Sequence, residues 1–426
     1  MFSPRKRFIP SAPSNTASDP LRKELRSSAV PYDDDQKVRN GRSRLSISLG
    51  AVTVTAILLA IIMSCHGVVP NDRDESTNSV DISAKPGTVH PRFVTVVLPS
   101  PVDPHTRHRR VTAIAETWAE AARALIVVHN VTEEFPAALP GTVWNGRNQQ
   151  PADRSHYPQV LHLPLNITMD DNDAFKRLEY VIKHVYVEHK ADFIFIVNDH
   201  SYVIPEHLCN FLSLFPPEVD LYAGRAMMNP DSLIFNTAAA GYILSRATMK
   251  RLLETWDEGT DCQSGKSYFR SNPDLSVAEC LQDVLHVRAL DTRNAAKFHL
   301  FHTYGIVRTV LGNVDQWFID VHDRFHNMTG FDASYRKLLS GSDCCSSDSI
   351  SFHYVEHGET RALFDIRKRL IQDPDMADSK VKELLEEKWP RSGLGGYSMP
   401  LPVKDDDSMH NLLTVLRKVS QGQMEG

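Results

Sequence analysis

The chain has 426 residues and a formal net charge of −6, with 42% hydrophobic and 23% charged residues. That length holds one large domain or two small ones with appendages. The mild acidity excludes a general nucleic-acid-binding surface, and the composition excludes a wholly disordered or fibrous chain.

Residues 1–44 are rich in Ser, Pro, Arg and Lys without hydrophobic periodicity, and are expected to form a disordered tail. From Leu45 to Val69 there is no Asp, Glu, Lys or Arg. Spanning a bilayer takes ~20 mostly apolar residues, so 45–69 is expected to be one transmembrane helix. It starts too far from Met1 for an ordinary signal peptide. Lys37, Arg39, Arg42 and Arg44 precede it, and Asp72, Arg73, Asp74 and Glu75 follow. The positive-inside rule then puts the N-terminus in the cytosol and the rest in the lumen, as a single-pass type II membrane protein. Residues 70–90 are polar and are expected to be a stem.

Three sequons, at Asn130, Asn166 and Asn327, follow the span and are candidate glycosylation sites. Of six cysteines, Cys65 lies in the span, and Cys209, Cys262, Cys280, Cys344 and Cys345 lie beyond it, in an oxidising compartment. The odd number leaves one unpaired or pairing between chains, which admits a homodimer. Adjacent cysteines close a strained eight-membered ring, so one or both of Cys344 and Cys345 are expected to bond elsewhere.

From Pro91 the pattern becomes alternating. Arg92–Leu98 reads as a strand, His108–Ala122 as a helix, Ala124–His129 as a buried strand and Val160–Leu165 as a third. A helix is expected over Asp171–His189, a central strand over Phe193–Val197 and a helix with proline in its first turn over Pro205–Leu214. Asp220–Ala223 reads as a strand, 240–256 as a strand running into a helix, and Leu275–Val284 as a helix. The alternation predicts an α/β fold, with a mostly parallel sheet and helices on both faces. Residues 91–370 are expected to be the main domain. Residues 371–426 carry two helical patterns, Lys380–Lys388 and Met409–Val419, expected to be an appendage.

Ligands of such sheets bind beyond the carboxyl ends of the strands. The central strand ends in Asn198-Asp199-His200, a polar triplet after an apolar run. A strand-end turn with no ligand is the alternative reading.

Several ordered segments resemble the core 1 β1,3-galactosyltransferase group of the Fringe-related β1,3-glycosyltransferases. They are Ala115-Glu-Thr-Trp118, Val197-Asn-Asp-His-Ser-Tyr-Val203, Ala239-Ala-Gly-Tyr-Ile-Leu-Ser245 and Pro273-Asp-Leu-Ser-Val-Ala-Glu-Cys280. Further on come Asp291-Thr-Arg293, Phe298-His-Leu-Phe301, and Cys344-Cys-Ser346 followed by Ile350-Ser-Phe-His-Tyr-Val355. Order and spacing hold over residues 92 to 360.

The resemblance implies a GT-A-type, Rossmann-like fold, a UDP-sugar donor and Mn²⁺. It implies inverting β1,3 transfer, most simply of galactose from UDP-Gal to a GalNAc-type O-glycan on a glycoprotein, in the Golgi or ER. By the same resemblance Asp199, His200 and His353 would hold the metal, and Asn198 and Lys176 would contact the nucleotide. Asp274 would be the general base, a carboxylate placed to take the acceptor's proton. A helix N-cap is the other reading of Asp274. Trp317 and Tyr242 would face the acceptor, and Cys262 and Cys280 would form a disulfide. The family's metal triplet carries aspartates where Asn198 and His200 stand here, and its glycines are replaced by Ala238 and Ala239. The alternative function is a catalytically silent relative acting as a chaperone or binding protein. A metal-independent transferase, with protein cations facing the diphosphate, is a third.

Overall fold

The computed structural model describes residues 91–100, 103–128, 157–168, 173–257, 272–294, 298–328, 338–391 and 398–422. The predicted tail, the span at 45–69, the stem, Asn130, Cys262 and the side chain of Asn327 lie outside the described residues. No described helix is long and apolar enough to cross a membrane.

Three mostly apolar runs build the centre: β1 (Phe93–Leu98), β2 (Ala124–Val128) and β4 (Phe193–Asn198). Such runs form strands buried on both faces. With β3 (Gln159–His162), β6 (Tyr222–Gly224), β9 (Tyr242–Ser245) and β10 (Leu290–Asp291) they make a seven-stranded sheet in the order β10-β6-β9-β4-β1-β2-β3. β1 runs parallel to β2 and β4, and β9 runs antiparallel between β4 and β6. A second sheet joins β11 (Phe301–His302), β12 (Ser351–Phe352) and β5 (Tyr202–Val203). A hairpin pairs β7 (Ala226–Met228) with β8 (Ile234–Asn236).

Successive strand residues face opposite ways, and the core divides accordingly. Val97, Phe195 and Val197 pack into one cluster with α1 (Pro104–Glu116) and α3 (Pro205–Leu212). Val94, Val96, Ile194 and Ile196 pack into another with α2 (Ala174–His184), α4 (Arg246–Asp257) and α5 (Pro273–Glu279). The remaining helices are α6 (Ile306–Val310), α7 (Gln316–Met328), α8 (His357–Gln372), α9 (Asp378–Lys388) and α10 (Asp406–Gln421). Leu384 and Leu385 of α9 and Leu412 and Val415 of α10 belong to the same cluster as Val97. The predicted appendage therefore shares the core of the domain.

Two expectations about local structure change. α1 starts at Pro104, not His108, because Asp103 accepts a hydrogen bond from the Thr106 N–H and proline suits the first turn. Cys344 and Cys345 are bonded to each other, after a single turn at Gly341–Asp343. Both are buried in the apolar core. Cys280 is also in a disulfide, whose other half lies outside the described residues.

Candidate active site

Leu98 of β1 pairs in register with Asn198 of β4, so the two central strands leave the sheet at one edge. The Asp199 N–H donates to the Leu98 carbonyl at 3.0 Å. Ser100 Oγ donates to Asp199 Oδ1 at 2.6 Å and lies 2.9 Å from His200 Nδ1. α1 brings Arg110 into this cluster. Its Nε and Nη2 donate to both carboxylate oxygens of Glu356, at 3.0 and 2.5 Å. Its Nη1 lies 3.3 Å from His200 Nδ1 and 3.6 Å from Asp199 Oδ1. Glu356 is itself fixed as the N-cap of α8, in a capping box with Glu359.

Burial pushes the Asp199 carboxyl up, but hydrogen bonding to His200 and the charges of His200 and Arg110 outweigh it and hold it below its ordinary value. His353 follows β12, whose pairing with β5 brings it to the triplet. Its ring centroid lies 4.3 Å from that of His200, and both of its ring nitrogens lack hydrogen-bond partners. Burial pushes its basicity well down, so the ring is neutral.

The structure thus brings Asp199, His200 and His353 together. Among the described residues no group of three His, Cys, Asp or Glu side chains is arranged to hold a metal ion. Asp199 Oδ2 has no hydrogen bond, yet Oδ1 is taken by Ser100 and lies beside a guanidinium. The His200 ring turns Nδ1 into that network and its face towards His353. Asp199 Oδ2 and the two His353 nitrogens are the donors left unengaged at this cluster.

A second carboxylate occupies the same edge. β9 begins with Tyr242 opposite Ile196, so the loop 237–241 lies beside the end of β4. Ser351 Oγ of β12 donates to the Ala240 carbonyl and ties this loop to the second sheet. The turn into β9 requires glycine: Gly241 has φ +85°, and a Cβ there would meet the Phe195 ring at 2.5 Å. Asp274 reaches this loop from the first turn of α5. Its Oδ2 accepts from the Ala238 N–H at 2.8 Å and from Thr237 Oγ1 at 3.1 Å. The N-cap reading of Asp274 does not hold, because the side chain of Asn272 caps α5 by accepting from the Leu275 N–H. Burial pushes the Asp274 carboxyl up to about 6, against the two hydrogen bonds that favour its charge. The residue nevertheless remains partly exposed.

The other predicted residues divide. Asn198 ends β4 at the cluster. Lys176 lies on the exposed face of α2, paired with Asp173 at 2.8 Å, and no contact joins it to the triplet. Tyr242 is not an acceptor-facing ring: it is fully buried and packs edge-on against Tyr222. Its hydroxyl is buried without a partner, in the field of Asp274. Trp317 is partly buried at the start of α7, edge-on to Phe318. Asn166 is exposed. Sequence reasoning missed Ser100, Thr237, Arg110 and Glu356. For Arg110 a signal existed. The run His105-Thr-Arg-His-Arg-Arg110 crowds cations near a helix N-terminus, where the helix dipole disfavours them.

A mostly parallel α/β sheet, with its polar clusters gathered beyond the ends of the central strands, is an architecture of GT-A-like type. Residues 105–310 match the family described as Fringe-like. The chain is 24% identical over 247 residues to the glycoprotein-N-acetylgalactosamine 3-beta-galactosyltransferase 1 of Xenopus laevis. That match covers 57% of this chain and 57% of the relative, so the chain spans little more than half the relative's length. Both matches make the chain similar to the Fringe-related β1,3-glycosyltransferases.

Proposed function

We propose that this protein is an inverting β1,3-glycosyltransferase that moves galactose from UDP-Gal to a GalNAc-type O-glycan on glycoproteins. In this reading a type II anchor at 45–69 holds it in the Golgi or ER membrane, with the GT-A domain in the lumen. The observation that carries the reading is Asp274, a partly exposed carboxylate poised at about 6 at the sheet edge where the strands deliver the triplet.

Asp274 takes the proton of the acceptor hydroxyl. The hydroxyl oxygen attacks the anomeric carbon as the bond to the UDP oxygen breaks, and the configuration inverts. UDP leaves with the bonding pair. A general base works best when its pKa lies near the working pH. Thr237 and the Ala238 N–H aim the carboxylate, with the buried Ala238 and Ala239 beside it. The chain's own cation at the triplet is Arg110, shared between Asp199 and Glu356.

One observation favours a second reading, a silent binding or chaperone protein: Arg110 already occupies the charge of Asp199. Secreted residues 71–426 separate the two. Calorimetry with UDP, with and without Mn²⁺, is followed by UDP release from UDP-Gal in the presence of a GalNAcα-peptide. Turnover that Asp274→Asn abolishes supports the transferase. UDP binding without turnover on any sugar donor assigns the silent reading.

A further inference from the structure

Behind the triplet lies a second site that the proposed transfer does not use. A cavity of about 360 Å³ opens beneath α6 and α7, lined by residues that include Arg225, His299, His302, Tyr304, Phe318 and Asp323. It is separated from His200 by two aromatic rings: Tyr354 lies 5.4 Å from His200, and Tyr304 lies 6.0 Å from Tyr354.

Arg225 follows β6 directly and is only 4% exposed. Its Nη2 lies 3.2 Å from His322 Nδ1, and its guanidinium carbon sits 5.4 Å from the Phe318 ring centre. Its Nε has no hydrogen-bond partner. No described carboxylate forms an ion pair with it. Asp291, which acts on it at longer range, is bonded to Arg293, and Asp323 of the cavity is an exposed residue. Arginine is almost never fully buried unless it is paired. Arg110 shows the ordinary solution in this same protein, with Glu356 on its guanidinium. Among the described residues Arg225 has no such counter-charge.

The other walls set the ligand's character. Burial pushes Arg225 down to about 9, still charged at neutral pH, and holds His302 at about 3 and His299 well below its usual value. Among the described walls Arg225 is therefore the one buried charge, with the Asp323 carboxylate on the exposed side. Val314, Phe318, Ile319 and Leu338 supply apolar walls. Pockets of 300–1,000 Å³ with mostly apolar walls and a few convergent polar groups are typical of small-molecule sites. A volume at the low end of that range suits one six-membered sugar ring.

We propose that this cavity binds a carboxylate-bearing pyranose, a hexuronate, whose carboxylate pairs with the Arg225 guanidinium while its ring lies against the apolar walls. The carboxylate meets the rigid donor fork of an arginine, a geometry that favours two parallel hydrogen bonds.

The test uses the full chain in detergent and reads equilibrium binding, so it stands apart from whether transfer occurs. Methyl β-glucuronide, methyl β-glucoside and acetate are titrated in turn by ligand-observed NMR. The expected result is glucuronide binding at least tenfold tighter than either control. Arg225→Met abolishes that preference without lowering the melting temperature, because an unpaired buried charge has been removed. Arg225→Lys retains part of it. Equal binding of glucuronide and glucoside overturns the proposal. Acetate binding as tightly as glucuronide overturns the sugar assignment. A marked fall in melting temperature of Arg225→Met shows that the contacts to His322 and Phe318 are the reason for the residue, and overturns it too.

Discussion

Replacing Asp274 with Asn separates activity from stability in opposite directions. The substitution removes a charge and keeps an oxygen able to accept from Thr237 and Ala238. The native carboxyl stands at about 6 against an ordinary 3.8, a rise of about two units, or about 3 kcal/mol as a ceiling. Partial exposure discounts this to about 1–2 kcal/mol. The sign follows from linkage. A carboxyl raised on folding binds its proton more tightly in the folded state. Its stabilising contribution is complete below pH 3.8 and lost as pH rises through about 6. Asp274→Asn therefore matches wild type in urea midpoint near pH 4 and exceeds it by about 1–2 kcal/mol at pH 8. Transfer at pH 8 falls at least a hundredfold, the lower range for loss of a positioned base. A variant less stable than wild type at pH 8 refutes the burial argument. A variant that keeps its activity refutes the role of Asp274.

The remaining expectations use the same geometry. Transfer rises with pH through about 6 and levels above it, and Thr237→Val, which removes a hydrogen bond to the charged form, moves that limb to higher pH in a pH–rate profile. Arg110→Met strands the buried Asp199 and the Glu356 carboxylate, and costs about 3–5 kcal/mol in urea unfolding. Gly241→Ala meets the Phe195 ring at a positive φ and costs about 3 kcal/mol or more by the same measurement.

The central strands were legible because burial on both faces forces continuous apolar runs, as in Phe193–Val197. Strands of two or three residues, such as β5, β11 and β12, are too short for any period to show. The cap of α5 was legible and misread: Pro273 sits at the first helical position, which makes Asn272 the cap and leaves Asp274 facing the Thr237 loop. The triplet's position was legible from its strand, and its meeting with His353 came from the family motif. Its pairing with Arg110 was not legible. Arg110 and Glu356 are separated by 246 positions, and only the packing of α8 against α1 brings them together. That pairing is what sets the charge of the cluster.

The most direct measurement is the product itself. Residues 71–426 are incubated with UDP-Gal and a GalNAcα-peptide, and the glycopeptide is examined by NMR for linkage and anomeric configuration. The account predicts a single β-linked galactose on O3 of GalNAc, made by wild type and not by Asp274→Asn. An α-linked product, or an equal yield from Asp274→Asn, contradicts it.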